Sequence, residues 1–249
     1  MLRRAFHRLL QGPWEHIRDE SSEAGTPAID ARVLLCLVVT SLVLVFEEHV
    51  GDRDFFARHL GSSVPARDYE LLSFVWWAVS KLVGYALVPL VVVRACCLPW
   101  SVLHLAPAGF TRHLRTYAML YLVMLPLLVA ASYTQAFRDM YPFVRSHRAR
   151  DLLLWEALYA SSFVALELFY RGFMLGMLRR SFGPHAIFVM IVPYCTIHFG
   201  KPVAESLGAI VAGVALGTLA MATRSIWGGV ALHVAVAWTM DALVLLRQR

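Results

Sequence analysis

Seven apolar runs, at about 33–46, 71–93, 117–134, 152–178, 186–199, 203–222 and 226–246, decide what this chain can become. Backbone that crosses a bilayer has no water to bond with, so each crossing segment must satisfy its own hydrogen bonds as a helix. About 20 residues rising 1.5 Å each are needed to cross. The first and fifth runs are short of that length, so one of them is expected to borrow flanking residues or fall short of a full crossing. Charged residues make up 16% of the 249 and hydrophobic ones 59%, whereas about a quarter of a soluble domain is charged. The expected fold class is all-α, a polytopic membrane helix bundle of about seven transmembrane helices, integral and multi-pass. In a bacterium its place would be the cytoplasmic membrane.

Ahead of the first run, Leu2, Phe6, Leu9 and Leu10 recur at helical spacing, with Trp14 and Ile17 beyond Pro13. Residues 2–18 therefore read as an amphipathic segment lying on the membrane surface, not as a signal peptide, because no uninterrupted apolar core follows the early arginines. Arg3, Arg4, Arg8, Arg18 and Arg32 precede the first run, and Glu47, Glu48, Asp52 and Asp54 follow it closely. That asymmetry puts the N-terminus on the cytoplasmic side. The chain divides into an interfacial segment, 1–30, a first group of helices, 31–150, and a core, 151–249. The net charge of +6 lies in short connecting segments, as it does against anionic lipid. No basic stretch is interleaved with aromatics in a soluble context, so nucleic acid is not an expected partner. Gly213 and Gly217 allow close helix packing, expected within one bundle.

Ionisable residues inside the runs are the functional signal. They are Lys81, Glu156, Glu167, Arg171, His198, His233 and Asp241. A lone charge in hydrocarbon costs about 2.5–3.5 kcal/mol, so such groups face an interior or a cavity. Lys81 has no evident partner in sequence and reads as a snorkelling or structurally paired residue. Glu156, Glu167 and Arg171 fall on one helix face, and Glu167 with Arg171 makes the favourable i,i+4 ion pair. The pair would merely neutralise itself but for the histidines. Of ten histidines, His198 and His233 alone sit well inside apolar runs. Measured from the presumed inner helix ends, Glu167 and His198 lie at roughly 18 Å and His233 at roughly 12 Å. Two histidines and a carboxylate at similar depth are the inventory of a metal or general-base site.

These residues resemble the three intramembrane motifs of the CPBP (Abi) family of CAAX-type and bacteriocin-processing membrane proteases. The first motif, Glu-Glu-x-x-x-Arg, reads Leu166-Glu167-Leu168-Phe169-Tyr170-Arg171, followed by Gly172. The second, Phe-x-x-x-His, reads Tyr194 to His198. The third, His-x-x-x-Asn or Asp, reads His233 to Ala237. Leu166 stands where the family usually has its first, water-activating Glu. Glu167 is turned 100° from it and does not simply inherit its place. Ala237 replaces the last polar residue, for which Asp241, a further turn along, is a substitute. Lys201 and Glu205, one turn apart beside His198, are expected to help line the site.

The resemblance implies hydrolysis of a peptide bond in a membrane-associated or membrane-presented protein or peptide. Glu167 would act as general base on a water held by His198 and His233, with Arg171 beside it. The histidines would either bind a divalent metal, such as zinc, or serve as hydrogen-bond partners and oxyanion stabilisers. Membrane lipid is the other expected partner. Leu166 and Ala237 favour an alternative, a degenerate relative that binds membrane peptides or lipidated tails without cutting them. A small transporter or proton-relay protein is the second alternative, against which stands the lack of internal repeats.

Overall fold

The computed structural model describes residues 30–146 and 148–247, together with Glu15. The amphipathic segment expected at residues 2–18 lies outside the described residues. Helix α1 (Ala31–His49) starts where Asp30 accepts a hydrogen bond from the Arg32 amide, and it is bent by 53° from α2 (Arg53–His59). Asp52 caps α2 by accepting from the Phe55 amide at 2.7 Å. Next come α3 (Tyr69–Leu82), a π-helical turn (Val83–Leu87) and α4 (Val88–Ala95). Pro89 has no N–H to give the carbonyl four residues back, which favours the widened turn just ahead of it. The chain continues through α5 (Pro107–Arg112), α6 (Leu114–Ala131), α7 (Gln135–Met140) and α8 (Ala149–Glu167). A second π-helical segment (Leu168–Met174) leads into α9 (Leu175–Phe182), and α10 (Ala186–Thr196), α11 (Val203–Thr223) and α12 (Trp227–Arg247) complete the fold.

The fold is thus an all-α, multi-pass membrane bundle. Among the described residues, five helical stretches are long and apolar enough to cross, or six if the bent α1–α2 pair is one span. The fourth and fifth apolar runs share one nearly unbroken helical stretch, Ala149–Thr196, which folds back on itself so that Tyr194 packs on Arg171. Its 3-10 turn at Gly183–His185 follows the charged Arg179 and Arg180. Alone, α10 has 11 residues, ~16 Å of helix and too little to cross. Large apolar side chains such as Leu42, Leu122, Val123 and Leu127 stay exposed, as lipid-facing positions do and water-facing ones rarely do in such density.

The centre of the bundle is the second π segment. Phe169, Arg171 and Phe173 within it are fully buried, as is Glu167 just before it. Around it, α8 packs on α3 and α12, and α12 packs on α6. Helix α10 packs on α11 through Gly213, where a Cβ would come within 2.8 Å of Ile191 Cγ1. Close packing inside one bundle is therefore what the Gly213 and Gly217 spacing serves. The buried ion pair of Lys81 with Glu47, at 2.7 Å, ties α3 to α1 and supplies the partner that Lys81 lacks in sequence.

Candidate active site

The π segment sets the geometry. Its wider turn is common at functional sites because it frees a carbonyl and re-aims side chains. Leu166 faces a cavity, whereas Glu167 turns into the packed interior. There Glu167 Oε1 meets Arg171 Nη1 at 3.5 Å and His233 Nδ1 at 3.0 Å. Gly229, one turn before His233 on α12, makes room for this carboxylate, since a Cβ there would lie 2.1 Å from Glu167 Oε2. No aligned hydrogen bond reaches the Arg171 guanidinium. It is held by Glu167 and by the face of Tyr194, its Cζ standing 3.9 Å from the ring centroid. Cation and ring attract through the ring quadrupole, most strongly when water is excluded.

His233 extends the chain of contacts outward. Its Nδ1 faces two acceptors, Glu167 Oε1 and the Gly229 carbonyl at 3.2 Å, so the proton on that nitrogen is fixed by its partners. Its Nε2 lies 3.2 Å from the Tyr194 hydroxyl, and its ring stacks on Phe163 at 5.3 Å between centroids. Glu167, His233 and Tyr194 thus form a line from the buried core to a cavity that both His233 and Tyr194 border. His198 borders the same cavity, its Nδ1 donating to the Tyr194 carbonyl at 3.1 Å. It sits beyond the end of α10, where burial, and next the Lys201 ammonium, push its imidazole down to about 4. Neutral His198 therefore carries the lone pair on Nε2.

The cavity measures about 380 Å³ and is mainly aromatic. Trp155, Tyr159 and Phe163 line it from one face of α8, opposite Trp77 and Tyr85. That four-residue spacing on α8 is visible in sequence as a stripe leading to Leu166, and motif reading overlooks it together with Arg53, Trp77 and Tyr85 from earlier helices. Lys81 and Lys201 add cationic edges, the latter paired with Glu205 at 2.6 Å. Glu205 also accepts from the Tyr141 hydroxyl at 2.8 Å. No carboxylate is among the lining residues.

The remaining expected residues lie elsewhere. Asp241 does not come to His233. It is fully buried, accepts from Trp155 Nε1 at 3.1 Å, and interacts electrostatically with Glu156. Glu156 is therefore tied to Asp241 on α12 and not to Glu167, although both glutamates belong to α8. Glu167 itself does not border the cavity, so a direct general-base role does not fit its place: His233 stands between it and the open space. Among the described residues, no three of His, Cys, Asp and Glu stand close enough to hold a metal ion. A catalytic zinc takes three protein ligands, and His198 with His233 supplies two, Leu166 occupying the wall where a third would be expected. The donor set at the cavity therefore does not fit a catalytic zinc, and what these side chains offer is proton transfer.

Residues 148–239 match the family model described as Type II CAAX prenyl endopeptidase Rce1-like. The matched stretch runs from α8 into α12 and contains Glu167, Arg171, Tyr194, His198 and His233. The motif resemblance to CPBP membrane proteases and the family model thus fall on the same residues. No curated protein and no solved structure matches the chain.

Proposed function

We propose that this chain is an intramembrane endopeptidase that hydrolyses a peptide bond of a membrane-presented substrate held in the aromatic cavity. The observation that carries the reading is the contact line Glu167–His233–Tyr194 opening on that cavity. A water attacking the scissile carbonyl gives its proton to the Tyr194 oxygen as the Tyr194 hydroxyl passes its own to His233 Nε2. The buried Glu167 carboxylate stabilises the imidazolium that forms, as the third member of a triad does. The same proton returns through Tyr194 to the departing amine. Lys201 Nζ, on the cavity edge and paired with Glu205, turns from that carboxylate toward the developing oxyanion. Neutral His198 orients the water by accepting its second hydrogen at Nε2. Tyr194 stands where the family motif has Phe, so the hydroxyl in this relay belongs to this chain, and it partly replaces the acid missing at Leu166.

That same leucine favours a second reading, binding without cleavage. A wall of Leu166 and aromatic rings with lysines at the edge suits an apolar peptide tail ending in a carboxylate. One experiment separates the two. The purified chain is reconstituted in liposomes with a lipid-anchored peptide, and binding and cleavage are measured together for the wild type and His233→Ala. Cleavage by the wild type that is lost in the variant supports the peptidase. Saturable binding by both without any product selects the binding protein, and neither binding nor cleavage contradicts both.

A further inference from the structure

A second cavity, of about 220 Å³, is lined by Ser101, His104, Leu105, Ala106, Arg179 and Arg224. We propose that it is a phosphate-ester site that seats the headgroup of an anionic phospholipid. Its lining offers two guanidinium groups and a hydroxyl but no carboxylate. Among the described residues, neither arginine forms an ion pair with an acidic side chain. Guanidinium groups match phosphate oxygens in fork geometry and are the preferred recognisers of that group.

The frame around the cavity is built and strained. His104 and Arg224 both adopt left-handed backbone, with φ of 52° and 56°, each as the residue that ends a helical turn, a conformation that costs a residue with a Cβ. The two are stitched together: the Ala106 amide donates to the Arg224 carbonyl at 3.3 Å and the Ile226 amide to the His104 carbonyl at 2.9 Å. Trp227 Nε1 adds a bond to the Leu105 carbonyl at 3.0 Å. His104 is 1% exposed. Its Nε2 lies 3.5 Å from Arg224 Nη1, so the imidazole braces one wall of the cavity. Arginines near the ends of α9 and α11 also suit the helix dipoles, but dipoles do not require an enclosed space.

Position selects a lipid over a free ion. Arg179 is in the last turn of α9 and Arg224 caps α11 just before α12 begins, so the cavity opens where membrane helices end and headgroups begin. The site also reaches the catalytic centre through one side chain. His104 Nδ1 donates to the Arg171 carbonyl at 2.9 Å, and Arg171 is the guanidinium that holds Glu167. A bound headgroup would steady the π segment from behind.

The test reads binding alone, so its outcome is independent of whether the chain cleaves peptides. Full-length protein in detergent is loaded with phosphatidylglycerol or phosphatidylcholine and the retained lipid is counted by native mass spectrometry. Arg224→Asn, whose side chain tolerates left-handed backbone, and Arg179→Gln remove the charges, and Arg224→Lys keeps one. Phosphatidylglycerol should be retained selectively, and each neutral variant should hold it about tenfold more weakly, with partial recovery in the lysine variant. Equal retention of both lipids, or unchanged retention in both neutral variants at an unchanged melting temperature, overturns the site. Protection by millimolar inorganic phosphate without selectivity for phosphatidylglycerol overturns the lipid as its occupant.

Discussion

Gly229→Ala adds one methyl group at the point where the proposed relay is most tightly built. The new Cβ would lie 2.1 Å from Glu167 Oε2 and 2.6 Å from Cδ, against an ordinary contact of 3.4 Å or more. The carboxylate must therefore retreat by about 1 Å, into a core where it is 0% exposed and has no empty side to move to. The 3.0 Å contact to His233 Nδ1 would open to about 4 Å, and a misplacement of that size costs about 100-fold in rate. Overpacking removes about 1–3 kcal/mol of stability, offset by about 0.5–1 kcal/mol because alanine suits a helix better than glycine. Gly208→Ala is the matched control, since nothing lies within 4 Å of a Cβ at that site, and it should be neutral or slightly stabilising. Thermal unfolding in detergent and the liposome cleavage assay read both quantities. A Gly229→Ala protein that melts and cleaves like the wild type would refute the placement of Glu167 behind His233.

Three other outcomes are expected. Glu167→Ala strands the fully buried Arg171 and should cost about 3–5 kcal/mol in unfolding measurements, whereas the joint change Glu167→Leu with Arg171→Met should recover most of it. Leu166→Glu puts a carboxylate on the cavity wall, where it can take a proton from water directly, and should raise turnover by about 100-fold over the wild type. His198 has a folded value of about 4 against an unfolded value near 6.5, so the unfolded chain binds the extra proton. Stability is then complete above about pH 6.5 and falls by up to about 3 kcal/mol as the pH drops towards 4, and His198→Gln should flatten that slope in melting curves.

Much of the fold and part of the site are legible in the order of the residues. The length and apolarity of the runs dictate helices, and the cost of burying Glu167, Arg171, His198 and His233 points to one shared interior. Leu166 at the cavity and Glu167 turned away from it follow from a 100° step around a helix axis. Contacts between distant segments leave no such trace. Lys81 finds Glu47 across 34 positions, and Asp241 is drawn to Trp155 and Glu156 instead of His233. The count of crossings differs for a similar reason: hydropathy sees two runs divided by Arg179 and Arg180, whereas the chain folds back at Gly183–His185 and the short α10 returns to pack Tyr194 on Arg171. Neither π segment leaves a periodicity signal, because each spans little more than one turn.

The most direct test follows the attacking oxygen. A membrane-presented peptide is incubated with the reconstituted chain in oxygen-18-labelled water, and the products are weighed by mass spectrometry. Hydrolysis through the relay predicts one heavy oxygen in the new C-terminal carboxylate with the wild type, strongly reduced product with Tyr194→Phe, and none with His233→Ala. Labelled product formed equally by all three proteins would contradict the relay, and intact peptide throughout would contradict hydrolysis itself.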